Sequence, residues 1–400
     1  MRVVIVTPIL FEQTSPFNHI MKDILEGLIT SGIDITRIVA VEDRTEAGYT
    51  LGISSDRISY IVIPRKRSEH DNIVRRYLSD TFVNVKMSRI IGKQKADVLF
   101  EDVSYSSFWS VRKAKAQGLR VVSMLQDVWP DNAVQSGLIT DNGLVYRFFE
   151  MLQKTVYRKS DRLICISDDM KNYITSKGVE NDKIDVVYNW GYTDGLVNVD
   201  WNKNRFVQKY NLCREKFYAV YAGNIGRMQN VELIIEAAQI LKDQDDICFL
   251  IIGDGAKKRE IVKMVSEKHL KNVNIIPHQS SDMAMDIYSV AGVNLIPLVN
   301  GGCSVAMPSK TGVCLSCGKP IITCFNTDSS FAHVITNARA GLNAKPDDKY
   351  DLAAKIIEIA EKFNEFRGGH DVYLRLFQKD HNVSKYSRIV GEWKNETVED

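Results

Sequence analysis

The chain lacks any stretch close to the roughly 18 consecutive apolar residues that a membrane span requires. Its opening, MRVVIVTPILFEQ, holds too short an apolar run for a secretion signal and no small-residue cleavage site. Net charge is nearly absent as well. Lys and Arg number 52 against 50 Asp and Glu, leaving +2, whereas a dedicated nucleic-acid binder carries a basic surplus. Familiar catalytic signatures are missing: there is no G-x-S-x-G, no H-E-x-x-H and no G-x-x-x-x-G-K-[ST]. The seven cysteines offer no zinc-finger spacing. Cys314 and Cys317 form a C-x-x-C, but no second Cys or His pair lies nearby, and small-residue helix packing reads better than a metal or redox role. Cysteines scattered through apolar stretches fit a reducing, cytoplasmic compartment.

What is present is average globular composition, with 44% apolar and 26% charged residues over 400 positions. That length favours two or three domains. Near-continuous apolar runs at 2–8, 58–63, 98–100, 120–125, 162–166 and 184–188 alternate with helical stretches, the pattern of a parallel sheet covered on both faces. A second series begins at Phe217 with FYAVYAG, CFLIIGDG, NVNIIP, VNLIPL and KPIIT, again separated by helices. The polar stretch Thr193 to Asn204 divides the two series. The expected fold class is α/β, with two Rossmann-like doubly wound domains facing a cleft. Residues 1–195 would form the first domain, 196–380 the second, and 381–400 a terminal helix.

In open α/β sheets, ligands bind beyond the carboxyl ends of the strands. The strongest loop of that kind is Gly223-Asn224-Ile225-Gly226-Arg227-Met228-Gln229, between a strand and a helix. Its glycines let backbone approach a ligand, the helix offers free N–H groups to phosphate, and Arg227 could add a charged contact. A third glycine is missing, which removes support for a nicotinamide dehydrogenase. Gly253 follows the next strand in the same way. Ser309 and Lys310, in Met307-Pro308-Ser309-Lys310, put a hydroxyl and an ammonium at a helix start, although Ser309 reads equally well as a cap. In the first half, Asp127 follows strand 120–125 and could deprotonate a hydroxyl or cap the next segment.

Taken together, these loops resemble the GT-B-fold glycosyltransferases of family 4, in the bacterial capsule, exopolysaccharide and O-antigen branch. The residues that carry the resemblance are QDVWPD at 126–131, DRLICISDDMKNYI at 161–174, VVYNWGYTD at 186–194, YAGNIGRMQNVELIIEAA at 221–238, LIIGDG at 250–255, IYSVAGVNLIPL at 287–298, MPSKTGVCLSCGKPII at 307–322 and ARAGL at 338–342. The resemblance implies a nucleotide-sugar donor, a UDP-sugar by preference, held by the second half, and a glycan or lipid-diphosphate acceptor held by the first. It implies hexosyl or N-acetylhexosaminyl transfer with retention at the anomeric carbon and no bound metal or cofactor. Gly223, Asn224, Gly226 and Gln229 would line the diphosphate opposite Ser309 and Lys310, while Pro277, His278 and Gln279 would meet the base. The terminal helix would return to the first domain. Some positions depart from the family pattern. Asn224 and Gln229 stand where Arg and Lys are frequent, Val305 and Val313 where a glutamate pair is usual, and Gln126 where a His often precedes the aspartate. Ser15 and Pro16 stand where paired glycines are usual.

Local charge is less even than the total. Between Arg65 and Lys95, nine basic and three acidic residues give +6, so the rest of the chain sums to −4. With Ile73, Val74, Tyr77, Leu78, Phe82 and Val85 at helical spacing, this segment reads as a contact with an anionic membrane surface, or else as an ordinary core-facing helix. A peripheral position at the inner face of the plasma membrane follows from the first of these. Two further functions fit the same fold: a sugar-nucleotide 2-epimerase, and a non-catalytic subunit of a partner enzyme.

Overall fold

The apolar runs form strands, those in the middle of each sheet buried on both faces. In the computed structural model, residues 1–7, 16–42, 58–64, 73–104, 107–191 and 195–394 are described. Seven strands make the first sheet: β1 (Arg2–Thr7), β2 (Asp34–Glu42), β3 (Ser59–Pro64), β4 (Val98–Asp102), β5 (Arg120–Leu125), β6 (Arg162–Cys165) and β7 (Ile184–Val186). Their order is β3-β2-β1-β4-β5-β6-β7, with all pairs parallel. Six strands make the second: β8 (Phe217–Asn224), β9 (Ile247–Asp254), β10 (Val273–Ile276), β11 (Val293–Pro297), β12 (Ile321–Cys324) and β13 (Gly341–Asn343). Here the order is β10-β9-β8-β11-β12-β13, also parallel throughout. Each sheet therefore starts in its middle, runs to one edge and then returns to build the other half. That reversal is the doubly wound topology, with one switch point per sheet, at β1/β4 and at β8/β11.

The chain divides into two compact units. The first comprises Met1–Asp131, Ile139–Tyr188 and Asp380–Asp400, and the second Asn132–Leu138 and Asn189–Lys379. The irregular stretch after Tyr188, expected to stay with the first domain as far as residue 195, belongs to the second. Helix Lys379–Val390 packs within the first unit. Its Asn382 Nδ2 donates to the Tyr188 carbonyl at 2.9 Å, and the Tyr386 ring stands edge-on to Phe100 at 6.1 Å between centroids. The core of the second unit is built from alternate residues of β8 and β9, Tyr221, Phe249 and Ile251, against Ile234, Ile235 and Ile356 of the covering helices.

Two strands escape a search for continuous apolar runs. β2 reads DITRIVAVE, with polar residues interleaved, and β13 is only three residues long. No described helix is long and apolar enough to cross a membrane. Ser15 and the basic residues Arg65, Lys66 and Arg67 lie outside the described residues.

Candidate functional site

In the second unit the switch point brings the three flagged loops to one end of the sheet. β8 ends at Asn224 and β9 at Asp254, and the loop after β11 leads to helix Lys310–Ser316. The backbones crowd here. A Cβ on Gly253 would stand 1.9 Å from the Gly223 carbonyl oxygen, at a φ of +153° that side chains rarely adopt. Over Gly226, Asn224 Nδ2 and Gln229 Oε1 each come within 2.6 Å of where a Cβ would be. Asn224 and Gln229 thus converge on a bare stretch of backbone next to the helix that starts at Val231. The Tyr221 hydroxyl pins the turn by donating to the Asn224 carbonyl at 2.5 Å.

Lys310 reaches into this region. Its Nζ is buried and has no hydrogen-bond partner among the described residues. It lies 3.4 Å from the centroid of the Tyr221 ring and 3.7 Å from the Cβ position of Gly223. Burial, with only the ring face and a neighbouring Cys314 for company, pushes its pKa down to about 7. An unpaired buried ammonium is costly, and a protein keeps one where an anion can meet it. The hydroxyl of Ser309 makes no capping hydrogen bond, although Ser309 sits at the N-cap position. Arg227 and Ser309 are exposed.

Side chains at or beside the other flagged positions are engaged by groups of the same unit. Asp254 pairs with Lys258 at 2.9 Å and accepts from the Gly255 N–H, which holds its carboxyl below the usual range. Gln279 accepts from Lys209 at 2.8 Å and donates to the Pro277 carbonyl at 2.7 Å. His278 and Pro277 are exposed, and Pro277 also borders a shallow apolar groove of about 480 Å³ beside β10. Val305 and Val313 are buried, and the Val313 side chain fills the space over Gly191. Cys314 and Cys317 are both buried thiols on or just after helix Lys310–Ser316.

In the first unit, Asp127 follows β5 and retains solvent access. The protein packed around it still withholds enough water to push its pKa up to about 6. The structure adds two carboxyls that the sequence reading left out, Glu101 and Asp102 at the end of β4, beside that sheet's switch point. The same strand-end rule that marks Asp127 would have marked both. Burial raises Asp102 well above the carboxylate range, and the charges of Asp127 and Glu101 raise it further. Burial also lifts Glu101 to about 8, even though the Ser110 hydroxyl donates to it at 2.6 Å. The surrounding protein thus disfavours the charged form at all three carboxyls, of which Asp127 keeps the most solvent access. The second aspartate of QDVWPD is structural. Asp131 accepts from Tyr173 at 2.7 Å, Tyr146 at 2.9 Å and Lys177 at 2.9 Å.

Two parallel doubly wound units, one with a phosphate-compatible switch point and one with a strand-end carboxyl group, fit the class of GT-B-fold glycosyltransferases. Residues 19–190 match the family model described as Glycosyltransferase Family 4, and residues 202–367 match that described as Glycosyl transferases group 1. The two matches bear out, for family and fold, the resemblance to the family 4 glycosyltransferases read from the chain's loops. The chain is 26% identical over 249 residues to a probable glycosyltransferase, WbjE of Pseudomonas aeruginosa, covering 62% of this chain and 61% of that one. It is 28% identical over 214 residues to a putative colanic acid biosynthesis glycosyl transferase, WcaI of Escherichia coli K12, covering 52% of each. The chain thus spans between half and two thirds of the length of these curated relatives. Among solved structures, sucrose-phosphate synthase from Thermosynechococcus elongatus superposes with a TM-score of 0.76 at 14% identity, over 99% of each chain. Anabaena HepE in complex with UDP-glucose superposes with a TM-score of 0.70 at 10% identity, over 98% of this chain and 100% of that one.

Proposed function

We propose that the protein is a retaining glycosyltransferase of bacterial surface-polysaccharide synthesis. It moves a hexosyl or N-acetylhexosaminyl group from a UDP-sugar to a glycan or lipid-diphosphate acceptor at the inner face of the plasma membrane. The observation that carries this reading is the buried, unpaired Lys310 ammonium beside Gly223, at the switch point of the second sheet. The relatives support it: WcaI is named for polysaccharide synthesis, and HepE was solved with UDP-glucose.

The leaving diphosphate gains charge as the glycosidic bond breaks, so a catalyst must hold that charge in a site with little water. Backbone N–H groups of the 223–229 turn and the Lys310 ammonium do this here without calling on a metal. Asn224, Gly226 and Gln229 shape the floor, Ser309 adds a hydroxyl donor and exposed Arg227 a second cation. Gly253 leaves room for the turn, and Pro277, His278 and Gln279 flank the base. Asp127, with its pKa near 6, is ionised at neutral pH and accepts the acceptor's hydroxyl proton.

A panel of nucleotide sugars read by thermal shift tests the donor half of this reading. A UDP-sugar should raise the melting temperature of the wild type and leave a Lys310→Met variant unmoved. If no nucleotide sugar stabilises the wild type, the reading fails. The carboxyl group at Glu101, Asp102 and Asp127 gives the 2-epimerase a specific observation in its favour. Consumption of donor with no acceptor present, giving an epimerised sugar, would establish that alternative.

A further inference from the structure

Helix Leu144–Lys159 of the first unit is apolar on two sides. Tyr146, Phe149, Leu152, Val156 and Tyr157 are buried and explain one side as core. The other side of a surface helix is ordinarily polar. Here its first two turns expose Leu144 (87%), Phe148 (42%) and Met151 (56%), spaced four and three residues apart so that they form one stripe, with Val145 beside them. The exposed charges of this helix are all basic: Arg147, Lys154, Arg158 and Lys159. Its one acid, Glu150, is already engaged by Lys154 and Lys177.

The helices packed next to it carry the same combination. Helix Phe108–Ala116 packs against it, contains no acidic residue, and exposes Trp109 together with Arg112 and Lys113. Helix Ile73–Ile91 packs in turn on that helix and exposes Phe82 (74%) with Lys86 and Arg89, in a stretch, 81–96, without an acid. Three adjacent helices thus share exposed apolar side chains of interfacial size and an excess of cations. Exposed apolar side chains of this size interspersed with Lys and Arg favour an occupant that is both oily and anionic.

We propose that these three helices form a docking face for an anionic lipid surface, with Leu144, Phe148 and Met151 as the inserting residues. The proposal deepens the membrane part of the reading above and moves its centre from 65–95 to helix Leu144–Lys159. Because it does not rest on the transfer chemistry, its failure would leave donor binding intact.

The full chain is tested by co-sedimentation with vesicles of phosphatidylcholine alone and of phosphatidylcholine with half phosphatidylglycerol. The wild type should bind the anionic vesicles, and added salt should weaken that binding, while neutral vesicles bind it poorly. Replacing Leu144, Phe148 and Met151 by Ser together should lower binding to the anionic vesicles by about tenfold or more. The melting temperature and the response to nucleotide sugars should not change, because the three side chains lie outside the core. Replacing Arg147, Arg158 and Lys159 by Glu should give the same loss by a route that leaves the apolar side chains in place. Wild-type-like binding by both variants would overturn the proposal. So would a wild type that ignores anionic vesicles, or one that forms a dimer which the serine variant dissolves.

Discussion

The second unit repeats the order of the first six strands of the first, yet the two switch points hold opposite chemistry. In the second unit the site is a buried cation over a glycine turn, with Lys310 pushed down to about 7. In the first it is a set of carboxyls pushed upward, with Asp127 at about 6 and Glu101 at about 8. Water withheld by the surrounding protein drives both shifts, and each time it disfavours the charged form. The lesson is that topology decides where a ligand can bind, while the one or two side chains placed there decide its sign. A cation meets a diphosphate, and a carboxylate meets a hydroxyl proton.

The sharpest way to break this division is to remove each group and ask which half-reaction is lost. Asp127→Asn should lower the transfer rate by about a thousandfold, in the range of a lost general base, and leave the thermal shift by donor unchanged. An unaffected rate would remove Asp127 from the chemistry. Lys310→Met should weaken donor binding by about a hundredfold, the loss of one charge-assisted contact in a buried site. The same variant should melt several degrees higher than the wild type without ligand. The sign follows from the depressed pKa. The unfolded chain binds a proton at Lys310 up to about pH 10.5, while the folded one releases it near 7. That penalty is complete below about 7 and fades as pH rises toward 10.5, so the ligand-free wild type gains stability over this window and the methionine variant does not.

Gly226→Ala should weaken donor binding by about tenfold, because its methyl group must displace Asn224 and Gln229 from the turn. Asn224→Ala combined with it would show whether the clash or the lost amide matters more. The smallest effect belongs to Asp102→Asn. Burial and the charges of Asp127 and Glu101 favour the protonated form of Asp102, so a neutral amide of the same shape should hold the rate at pH 7 within about threefold. A large loss would mean that Asp102 works as an anion.

Much of this was legible in the residues. The continuous apolar runs RVVIVT, RVVSML and ICFLIIGD announce buried parallel strands, and the turns after them announce the ligand end of each sheet. Other features needed three dimensions. Lys310 could be flagged for its place before a helix, but nothing in MPSK shows that its ammonium lies against Tyr221 with no hydrogen-bond partner. Asp102, two residues beyond the apolar run 98–100, was open to the strand-end rule, but its contact with Asp127 was not. On helix Leu144–Lys159 the apolar residues fall on both sides, so periodicity alone could not separate Phe149 in the core from Phe148 at the surface. Sequence reports spacing well, but whether a side chain is satisfied depends on neighbours far away in the chain.

Lys310, half protonated near pH 7 and mostly neutral at pH 8, takes its full charge from the donor. Calorimetric titration with the nucleotide sugar at pH 8, repeated in buffers of different ionisation enthalpy, reads the proton count directly. Uptake of close to one proton is expected on binding to the wild type and none for Lys310→Met, with affinity falling as the pH rises above about 7. Binding to the wild type at pH 8 with no proton uptake would contradict it.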